Sequence, residues 1–302
     1  MDADIRIATE SAFADQFLRQ RMSSSGDDTQ LDHFTLSQRV TSWISQNIFG
    51  ELVYTCRHGL LQGMKRKGGL GWLPKRLSAS VENAEIQFWR SLDLTDKVVY
   101  DVGSYHGLLA MYFARSSRLV VCFEPNDVNR TRLEENVALN RLTNVTVRAV
   151  GIGSEPADVT MVYSPLMSGG ATIETAREFG PRATAGTVRQ SIRLSSLDAE
   201  IAAGIALPDF IKIDVEGYEL EALVGAAALL ATHRPELFLE MHGNTIAEKR
   251  KNVAAIVTFL EHAAYVVKHV ESGSIVTAEN AALAMEGHLY ARPVASSLAQ
   301  AH

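Results

Sequence analysis

The sequence predicts an α/β fold built on a doubly wound, mostly parallel sheet. The main observation is a β-turn-α-β unit in which an apolar run from Val98 to Tyr100 ends at the turn Asp101-Val102-Gly103. A helical pattern follows, and then a second β-rich run from Leu119 to Phe123. Two later apolar runs, Phe210 to Asp214 and Leu237 to Met241, also end in polar residues. Because open α/β sheets bind ligands at the carboxyl ends of their strands, the glycine turn predicts a nucleoside-cofactor site.

Asp101 decides between two classes of cofactor. The dinucleotide fingerprint G-x-G-x-x-G needs a glycine where this chain has Asp101, two positions before Gly103. A carboxylate there repels a pyrophosphate but suits a cationic amino group. S-adenosylmethionine carries an ammonium and a sulfonium and no phosphate, so Asp101-x-Gly103-x-x-x-Gly107 favours it over NAD. Glu124 lies 21 residues beyond Gly103, where a carboxylate can accept both ribose hydroxyls.

Neighbouring residues extend this predicted cofactor site. The run Asn144 to Gly151 is predicted as the third strand, and the small apolar residues at its end suit a flat adenine. His106, inside the glycine loop, could meet the cofactor or the substrate, or could be a hydrogen-bonded loop histidine. The predicted cofactor-binding residues are Asp101, Gly103, Ser104, Tyr105, Gly107, Glu124, Pro125, Asn126, Val150 and Asp214.

A second group of polar residues ends two predicted neighbouring strands. Asp214 and Glu216 follow one strand, and Glu240 and His242 follow the next. Since residues i and i+2 share a face and parallel strands lie about 4.8 Å apart, the four side chains are expected to converge. His242 is the first choice for a base that deprotonates an alcohol. Asp214, Glu216 and Glu240 could hold the acceptor hydroxyl or, with His242, bind Mg²⁺.

A structural interpretation of this second group also stands. Glu216 or Glu240 could cap a helix, or could pair with a basic neighbour such as Lys212 or Arg234. The remaining histidines show no pattern of partners and are expected to be structural; they are His233, His262, His269 and His288.

Six segments occur in an order and spacing that resemble FkbM-type methyltransferases over roughly residues 97 to 243. They read VVYDVGSYHGLLAMYFA, VVCFEPN, LEENVALNRLTNV, SSLDAEI, DFIKIDVEGYELEALVGA and PELFLEMHG. The chain departs from many members at Ser104-Tyr105-His106. The resemblance implies a class I, Rossmann-like fold with a seven-stranded sheet and an antiparallel last strand. It also implies S-adenosylmethionine-dependent O-methylation of a hydroxyl on a sugar or secondary metabolite.

Two other function classes share parts of this pattern. A nicotinamide-dependent oxidoreductase would have the same β-α-β unit, but Asp101 and the missing glycine count against it. A non-catalytic cofactor-binding protein would keep the glycine turn and Glu124 while tolerating loss of the second polar group.

The amino-acid composition limits the function classes that the protein can belong to. The 302 residues carry a formal charge of −6, which argues against a general nucleic-acid binder, and 46% are hydrophobic. Two cysteines, Cys56 and Cys122, make a disulfide framework or a cysteine zinc site improbable. The first residues show no basic or apolar leader, and no apolar stretch approaches membrane-spanning length, so a cytoplasmic protein with a small-molecule or glycan acceptor is expected.

The chain is expected to divide into three parts: residues 1–92 as a helical and basic N-terminal extension, 93–294 as the methyltransferase domain, and 295–302 as a tail. Residues 31–62 are predicted to form one or two helices, with Trp43 in the core. The basic segment from Leu52 to Val81 is either a solvated face or a lid that attracts an anionic acceptor. The loop between two strands of an insertion could border the acceptor, with Met167, Ser168 and Gly169 as candidates.

Overall fold

The predicted alternation of strands and helices folds as a large mixed sheet with helices packed on both faces. The computed structural model describes residues 50–68, 83–164, 167–173, 188–243 and 245–294. Its strands are β1 (Val53–Thr55), β2 (Lys65–Lys67), β3 (Val98–Val102), β4 (Leu119–Phe123), β5 (Val145–Arg148), β6 (Gly151–Ile152), β7 (Ala157–Ser164), β8 (Met167–Ile173), β9 (Val188–Ser195), β10 (Phe210–Ile213), β11 (Glu236–Glu240), β12 (Tyr265–His269), β13 (Ile275–Val276) and β14 (His288–Pro293). Its helices are α1 (Ala84–Ser91), α2 (Leu108–Phe113), α3 (Asp127–Leu139), α4 (Leu197–Ala202), α5 (Glu219–Val224), α6 (Ala227–Thr232) and α7 (Ile246–His262), with a 3₁₀ helix at Ala281–Ala284.

The main sheet has the strand order β13-β12-β14-β11-β10-β3-β4-β5. Strands β5, β4, β3, β10 and β11 are parallel, and β14 pairs antiparallel with β11, as predicted for the last strand. The prediction of seven strands was wrong by one, because the two-residue strand β13 pairs with the outer edge of β12. The carboxyl ends of the five parallel strands therefore meet at one edge.

Apolar residues on both faces explain why the central strands are continuous hydrophobic runs. All five residues of β3 are buried. Val98, Tyr100 and Val102 pack into one core, whereas Val99 packs into the core on the opposite face, as the two-residue period of a strand requires. On that opposite face, fully buried Trp89 of α1 makes ring contacts with neighbouring aromatic side chains. Both layers of helices are thereby fixed to the sheet.

A four-stranded second sheet, of order β6-β9-β7-β8, stands beside the main one. The predicted third strand is in fact two strands, since β5 joins the main sheet and β6 joins the second sheet. The expectation of a loop at Met167, Ser168 and Gly169 was wrong, because these residues belong to β8, which pairs with β7 in a hairpin. The described residues of the insertion on both sides of this pairing therefore form β-structure.

The described part of the N-terminal extension contains a β-hairpin. Strand β1 lies where the sequence predicted helix up to residue 62, and it pairs antiparallel with β2, which lies beyond that range. The hairpin docks on α3, since the Lys67 backbone N–H donates to Asn136 Oδ1 at 2.9 Å and its ammonium pairs with Glu51 and Glu135 at 2.6 and 2.7 Å. Part of the basic segment is thus neutralised locally. Trp43, the glycine-rich half of the basic segment and the tail lie outside the described residues.

Local contacts fix two helix boundaries. The N-cap of α3 is Asn126, because its Oδ1 accepts hydrogen bonds from the backbone of Val128 and Asn129. Two helices, α5 and α6, follow Gly217. Between them, Gly225 packs so closely on another segment that a Cβ there would lie 2.0 Å from the carbonyl oxygen of Gly153. Within the described residues, every helix is too short or too polar to cross a bilayer.

Candidate active site

A cleft that is partly open to solvent lies at the carboxyl ends of β3, β4 and β10, the edge at which α/β sheets bind ligands. The loops after these strands form one side of it and the second sheet forms the other. The described residues that line it are Gly103, Tyr105, Phe123, Glu124, Pro125, Asn129, Gly151, Ile152, Met161, Ala171, Thr172, Ile173, Ile192, Leu194, Asp214, Val215, Glu216 and Tyr218. Five of the predicted cofactor-binding residues are among them.

The glycine turn packs against the end of β10. Gly103 has φ +77° and its N–H donates to the Phe123 carbonyl at 3.0 Å. A Cβ at this position would lie 1.8 Å from the carbonyl oxygen of Asp214, so no other residue fits. Gly107, also at positive φ, begins α2 and packs against Leu133. The two glycines therefore shape the loop, and Gly103 also lines the cleft.

Asp101 lies beneath the cleft in an ion pair that the sequence analysis did not predict. Its carboxylate is 1% exposed, and Lys212 of β10, its register partner, places Nζ 3.3 Å from Asp101 Oδ1. The same ammonium lies 3.0 Å from Asp214 Oδ2 and donates to the Gly103 carbonyl at 2.8 Å. Of the two carboxylates, Asp214, 26% exposed, is the one that lines the cleft. Contact between Asp101 and a cofactor stays a prediction.

Charge and burial oppose each other around this ion pair. Burial lowers the pKa of the Lys212 ammonium, but Asp214 and Asp101 outweigh it and raise the pKa above its ordinary value. Burial raises the pKa of Asp101, against the opposing effect of Lys212. For Asp214, burial acts in the raising direction, yet Lys212 and His242 lower the pKa overall. Asp214 therefore presents a stable negative charge to the cleft.

Glu124 is held with both carboxylate oxygens at the cleft wall. The Tyr105 N–H donates to its Oε2 at 2.7 Å, and the Asn126 N–H donates to its Oε1 at 2.9 Å. Burial raises the pKa of Glu124 to about 7, while the two backbone bonds work in the opposite direction. Binding of two ribose hydroxyls by Glu124 stays a prediction.

The other predicted cofactor residues support the loop. Ser104 Oγ donates to the Asp101 carbonyl at 2.6 Å, Asn126 caps α3, and Val150 packs against the core. Tyr105, at φ +50°, stacks on His106 with ring centroids 3.7 Å apart. Burial, followed by the charges of Arg66 and Arg132, lowers the pKa of His106 to about 3. The imidazole that stacks on Tyr105 is therefore neutral.

The apolar wall of the cleft comes from the second sheet, which sequence reasoning missed. Met161, Ile173, Ile192 and Leu194 form a small core with neighbouring residues and line the cleft. Thr172 Oγ1 donates to the Glu216 carbonyl at 2.9 Å and so ties this sheet to the loop after β10. The sequence signal for this wall was the alternation of apolar residues along β7 and β9. No local pattern indicated that these residues would line the cleft.

His242 lies at the centre of the predicted second polar group. Its Nε2 is 3.7 Å from a carboxylate oxygen of each of Asp214, Glu216 and Glu240. Its Nδ1 is 2.9 Å from Oε1 of Glu219, a residue that the sequence analysis did not single out. The four predicted residues therefore converge. Lys212 pairs with Asp214 and Asp101, whereas the sequence analysis offered it as a partner of Glu216 or Glu240.

The surrounding carboxylates govern the charge of His242. Burial lowers its pKa, but the hydrogen bond and charge of Glu219, and then the charges of Glu216 and Asp214, raise it to about 10. Burial and the Asp214 charge raise the pKa of Glu240. His242 consequently carries a proton on both nitrogens at neutral pH and must lose one before it can act as a base.

Three of these side chains could also offer ligand atoms to a cation. One atom each of Asp214, Glu240 and His242 lies within 4.8 Å of the others, and Glu216 is not part of this set. Oxygen and imidazole donors suit a divalent metal. The Lys212 ammonium, already 3.0 Å from Asp214, and the His242 proton would both compete with such an ion. The Mg²⁺ site stays a prediction.

Two histidines that were expected to be structural, His288 and His269, contact Glu271, and His288 also faces Glu240. His288 Nδ1 lies 2.6 Å from Glu271 Oε1, and His269 Nε2 lies 3.0 Å from Glu271 Oε2. His288 Nε2 faces Glu240 Oε2 at 3.9 Å, because Glu240 and His288 are register partners on β11 and β14. Glu240 and His288 are 48 positions apart in the chain, so they formed no sequence motif.

The fold and the cleft define an α/β protein that has a large mixed sheet and a cleft at the carboxyl edge of its parallel strands. The model of the methyltransferase FkbM domain matches residues 101–267, and the chain belongs to this family. It is similar to methyltransferase sdnD of Sordaria araneosa, with 28% identity over 42% of this chain and 59% of that one. It is also similar to hexuronic acid methyltransferase AglP of Haloferax volcanii, with 32% identity over 43% of this chain and 50% of that one.

The chain spans about half to three fifths of the length of these curated relatives. Among solved structures, the methyltransferase FkbM from Methylobacillus flagellatus is similar at 21% identity, with a TM-score of 0.45, over 70% of this chain and 48% of that one.

Proposed function

We propose that the protein is an S-adenosylmethionine-dependent methyltransferase that methylates a hydroxyl of a sugar or secondary metabolite. The observation that carries this proposal is the position of Asp214. It lines the cleft and lies 3.7 Å from His242 at the same time. A cofactor in the cleft and an acceptor at His242 would therefore be adjacent, and positioning two reactants side by side supplies much of the catalysis.

The lining of the cleft supports this cofactor over a dinucleotide. Among the described lining residues, the three charged side chains are carboxylates, namely Glu124, Asp214 and Glu216. They would repel a pyrophosphate and would attract an ammonium or sulfonium. Glu124 at the cleft wall suits the ribose hydroxyls, and the apolar wall of the second sheet suits the adenine. Asp101 does not contribute to this comparison, because its side chain is 1% exposed and is not among the described residues that line the cleft.

The chemistry assigns a role to each residue of the second polar group. When bound, S-adenosylmethionine supplies a methyl group activated by its sulfonium, and the sulfur keeps the electron pair of the broken bond. After its own Nε2 proton has been lost to solvent, His242 would take the proton of the acceptor hydroxyl at Nε2 while that oxygen bonds to the methyl carbon. Asp214, Glu216 and Glu240 surround that nitrogen and offer acceptors for the remaining hydroxyls of a polyol.

The acceptor class is inferred from chemistry and from one relative. The relative named as a hexuronic acid methyltransferase acts, by that name, on a sugar acid. Three carboxylates around His242 Nε2 favour a neutral sugar or polyol over an acidic one, since like charges repel. Uronic acids and neutral hexoses therefore belong in the same acceptor panel.

Transfer of a radiolabelled methyl group to a panel of hydroxylated glycans and metabolites tests the proposal. We expect the wild type and His233→Ala, which changes an exposed histidine, to transfer label equally. His242→Ala should transfer at least about 100-fold less, the lower range for loss of a general base. Full transfer by His242→Ala would refute the assigned base. Oxidation of an acceptor with NAD, without methyl transfer, would favour the oxidoreductase, and cofactor binding without either reaction would favour the non-catalytic alternative.

A further inference from the structure

Glu219 is the most deeply buried carboxylate that contacts His242. It is the first residue of α5, and its side chain is 2% exposed, against 17% for the imidazole. Its Oε1 lies 2.9 Å from His242 Nδ1 and also accepts the Gly217 N–H at 2.9 Å. Gly217, at φ +96°, makes the turn that returns the chain to this carboxylate. Glu219 is therefore fixed from its own loop and holds the imidazole from one side.

We propose that Glu219 is a positioning residue that keeps a hydrogen on His242 Nδ1 and turns Nε2 towards the acceptor. This inference rests on the proposed function of His242 as the base. An ionised carboxylate only accepts hydrogen bonds, so the nitrogen that faces it must be the donor. Nε2 is then the nitrogen that gains and loses a proton. This is the arrangement by which a buried carboxylate orients a catalytic histidine in hydrolases.

The groups around His242 divide into two sets. Asp214 and Glu216 from the loop after β10, and Glu240 from β11, face Nε2 at 3.7 Å and are each 22% or more exposed. Glu219 alone among these carboxylates contacts Nδ1, and its burial separates it from any acceptor. From α7, Asn252 Nδ2 donates to the His242 carbonyl at 3.0 Å and fixes the backbone but not the ring. Orientation of the ring therefore depends on Glu219.

Rotation of the ring explains why this contact matters. Without a partner at Nδ1, the imidazole can flip about its Cβ–Cγ bond and exchange the positions of its two nitrogens, since that torsion has broad, two-fold preferences. A misplacement of about 1 Å at the reacting atoms can lower a rate about 100-fold. Glu219 would thus affect the chemical step through His242 while leaving the cofactor cleft, which it does not line, unchanged.

Two variants and a matched control test the proposal. Glu219→Ala removes both the charge and the acceptor, and Glu219→Gln removes only the charge. The control is Glu200→Gln, because Glu200 of α4 is also a buried glutamate but pairs with Arg148 of β5. We expect kcat for methyl transfer to fall about 100-fold in Glu219→Ala and less in Glu219→Gln, with S-adenosylhomocysteine Kd within about twofold of wild type. Glu200→Gln should keep the wild-type kcat.

A spectrum of the protein alone supplies a readout independent of activity. In ¹⁵N-histidine-labelled protein, His242 should give a downfield Nδ1–H resonance that exchanges slowly with water and is identified by its loss in His242→Ala. It should persist in Glu200→Gln and disappear in Glu219→Ala. An Nδ1–H signal retained in Glu219→Ala, together with unchanged kcat, would overturn the positioning role while leaving His242 as the base. Methyl transfer that survives His242→Ala would instead overturn the proposed function itself.

Discussion

Raising the pH from 6 to 10 should destabilise the wild-type protein more than a His242→Gln variant. The pKa of His242 is about 10 in the native protein, against an ordinary value of 6.5, because Glu219, Glu216 and Asp214 outweigh its burial. A group whose pKa is raised by folding adds stability below its unfolded pKa and loses it as the pH rises through the folded one. The difference between 10 and 6.5 corresponds to about 5 kcal/mol, and the 17% exposed ring is screened little by solvent.

Urea unfolding at pH 6, 7, 8, 9 and 10 measures this loss. We expect the free energy of unfolding of the wild type to fall by about 3 to 5 kcal/mol more than that of His242→Gln over this range. Lysines and tyrosines titrate in both proteins, so their effects cancel in the difference. His233→Ala should behave as wild type. Parallel curves for the wild type and His242→Gln would refute the charge assignment at the centre of the site.

Three further perturbations test other parts of the site. Glu124→Gln should weaken S-adenosylhomocysteine binding about 10- to 100-fold, because charge-assisted hydrogen bonds are lost. In the wild type, the affinity for S-adenosylhomocysteine should rise between pH 6 and 8, because Glu124, with a pKa of about 7, ionises over this range. Gly103→Ala should cost at least about 3 kcal/mol of stability, whereas Gly204→Ala, at φ +98° in open space, should cost about 1 to 2 kcal/mol. Lys212→Met should cost about 3 to 5 kcal/mol because it leaves buried carboxylates unpaired, and adding Asp101→Asn should recover part of it.

A specific result would contradict each of these three predictions. Calorimetry that gives a pH-independent Kd for the wild type would remove the role of Glu124 ionisation. Equal melting temperatures for the two glycine variants would mean that the close packing at Gly103 relaxes freely. Unchanged urea midpoints in Lys212→Met would show that its ion pairs contribute nothing to the native state.

The parts of the site that could be predicted from the sequence are those that follow directly from strand geometry. Glu124 follows an apolar strand, and Asp214, Glu216, Glu240 and His242 occur as i, i+2 pairs after two others, so their convergence needs only a parallel sheet. Parallel pairing of β10 with β11 confirms that reasoning. The antiparallel last strand was likewise predictable, from the family resemblance.

The remaining parts of the site depend on which distant residues the fold brings together. Lys212 neutralises Asp101 because β10 and β3 pair with these residues opposite each other, a register that no local pattern specifies. Glu219 reaches His242 because Gly217 reverses the chain at positive φ. The apolar wall of the cleft comes from an insertion, where short alternating strands could not be assigned to one sheet or the other.

Titration calorimetry of the wild-type protein with S-adenosylhomocysteine, followed by NADH in competition, tests the central claim most directly. We expect S-adenosylhomocysteine to bind one site per chain and NADH neither to bind there nor to displace it, because the charged side chains among the described lining residues are carboxylates. NADH binding that S-adenosylhomocysteine fails to displace, with no heat from the latter, would contradict it.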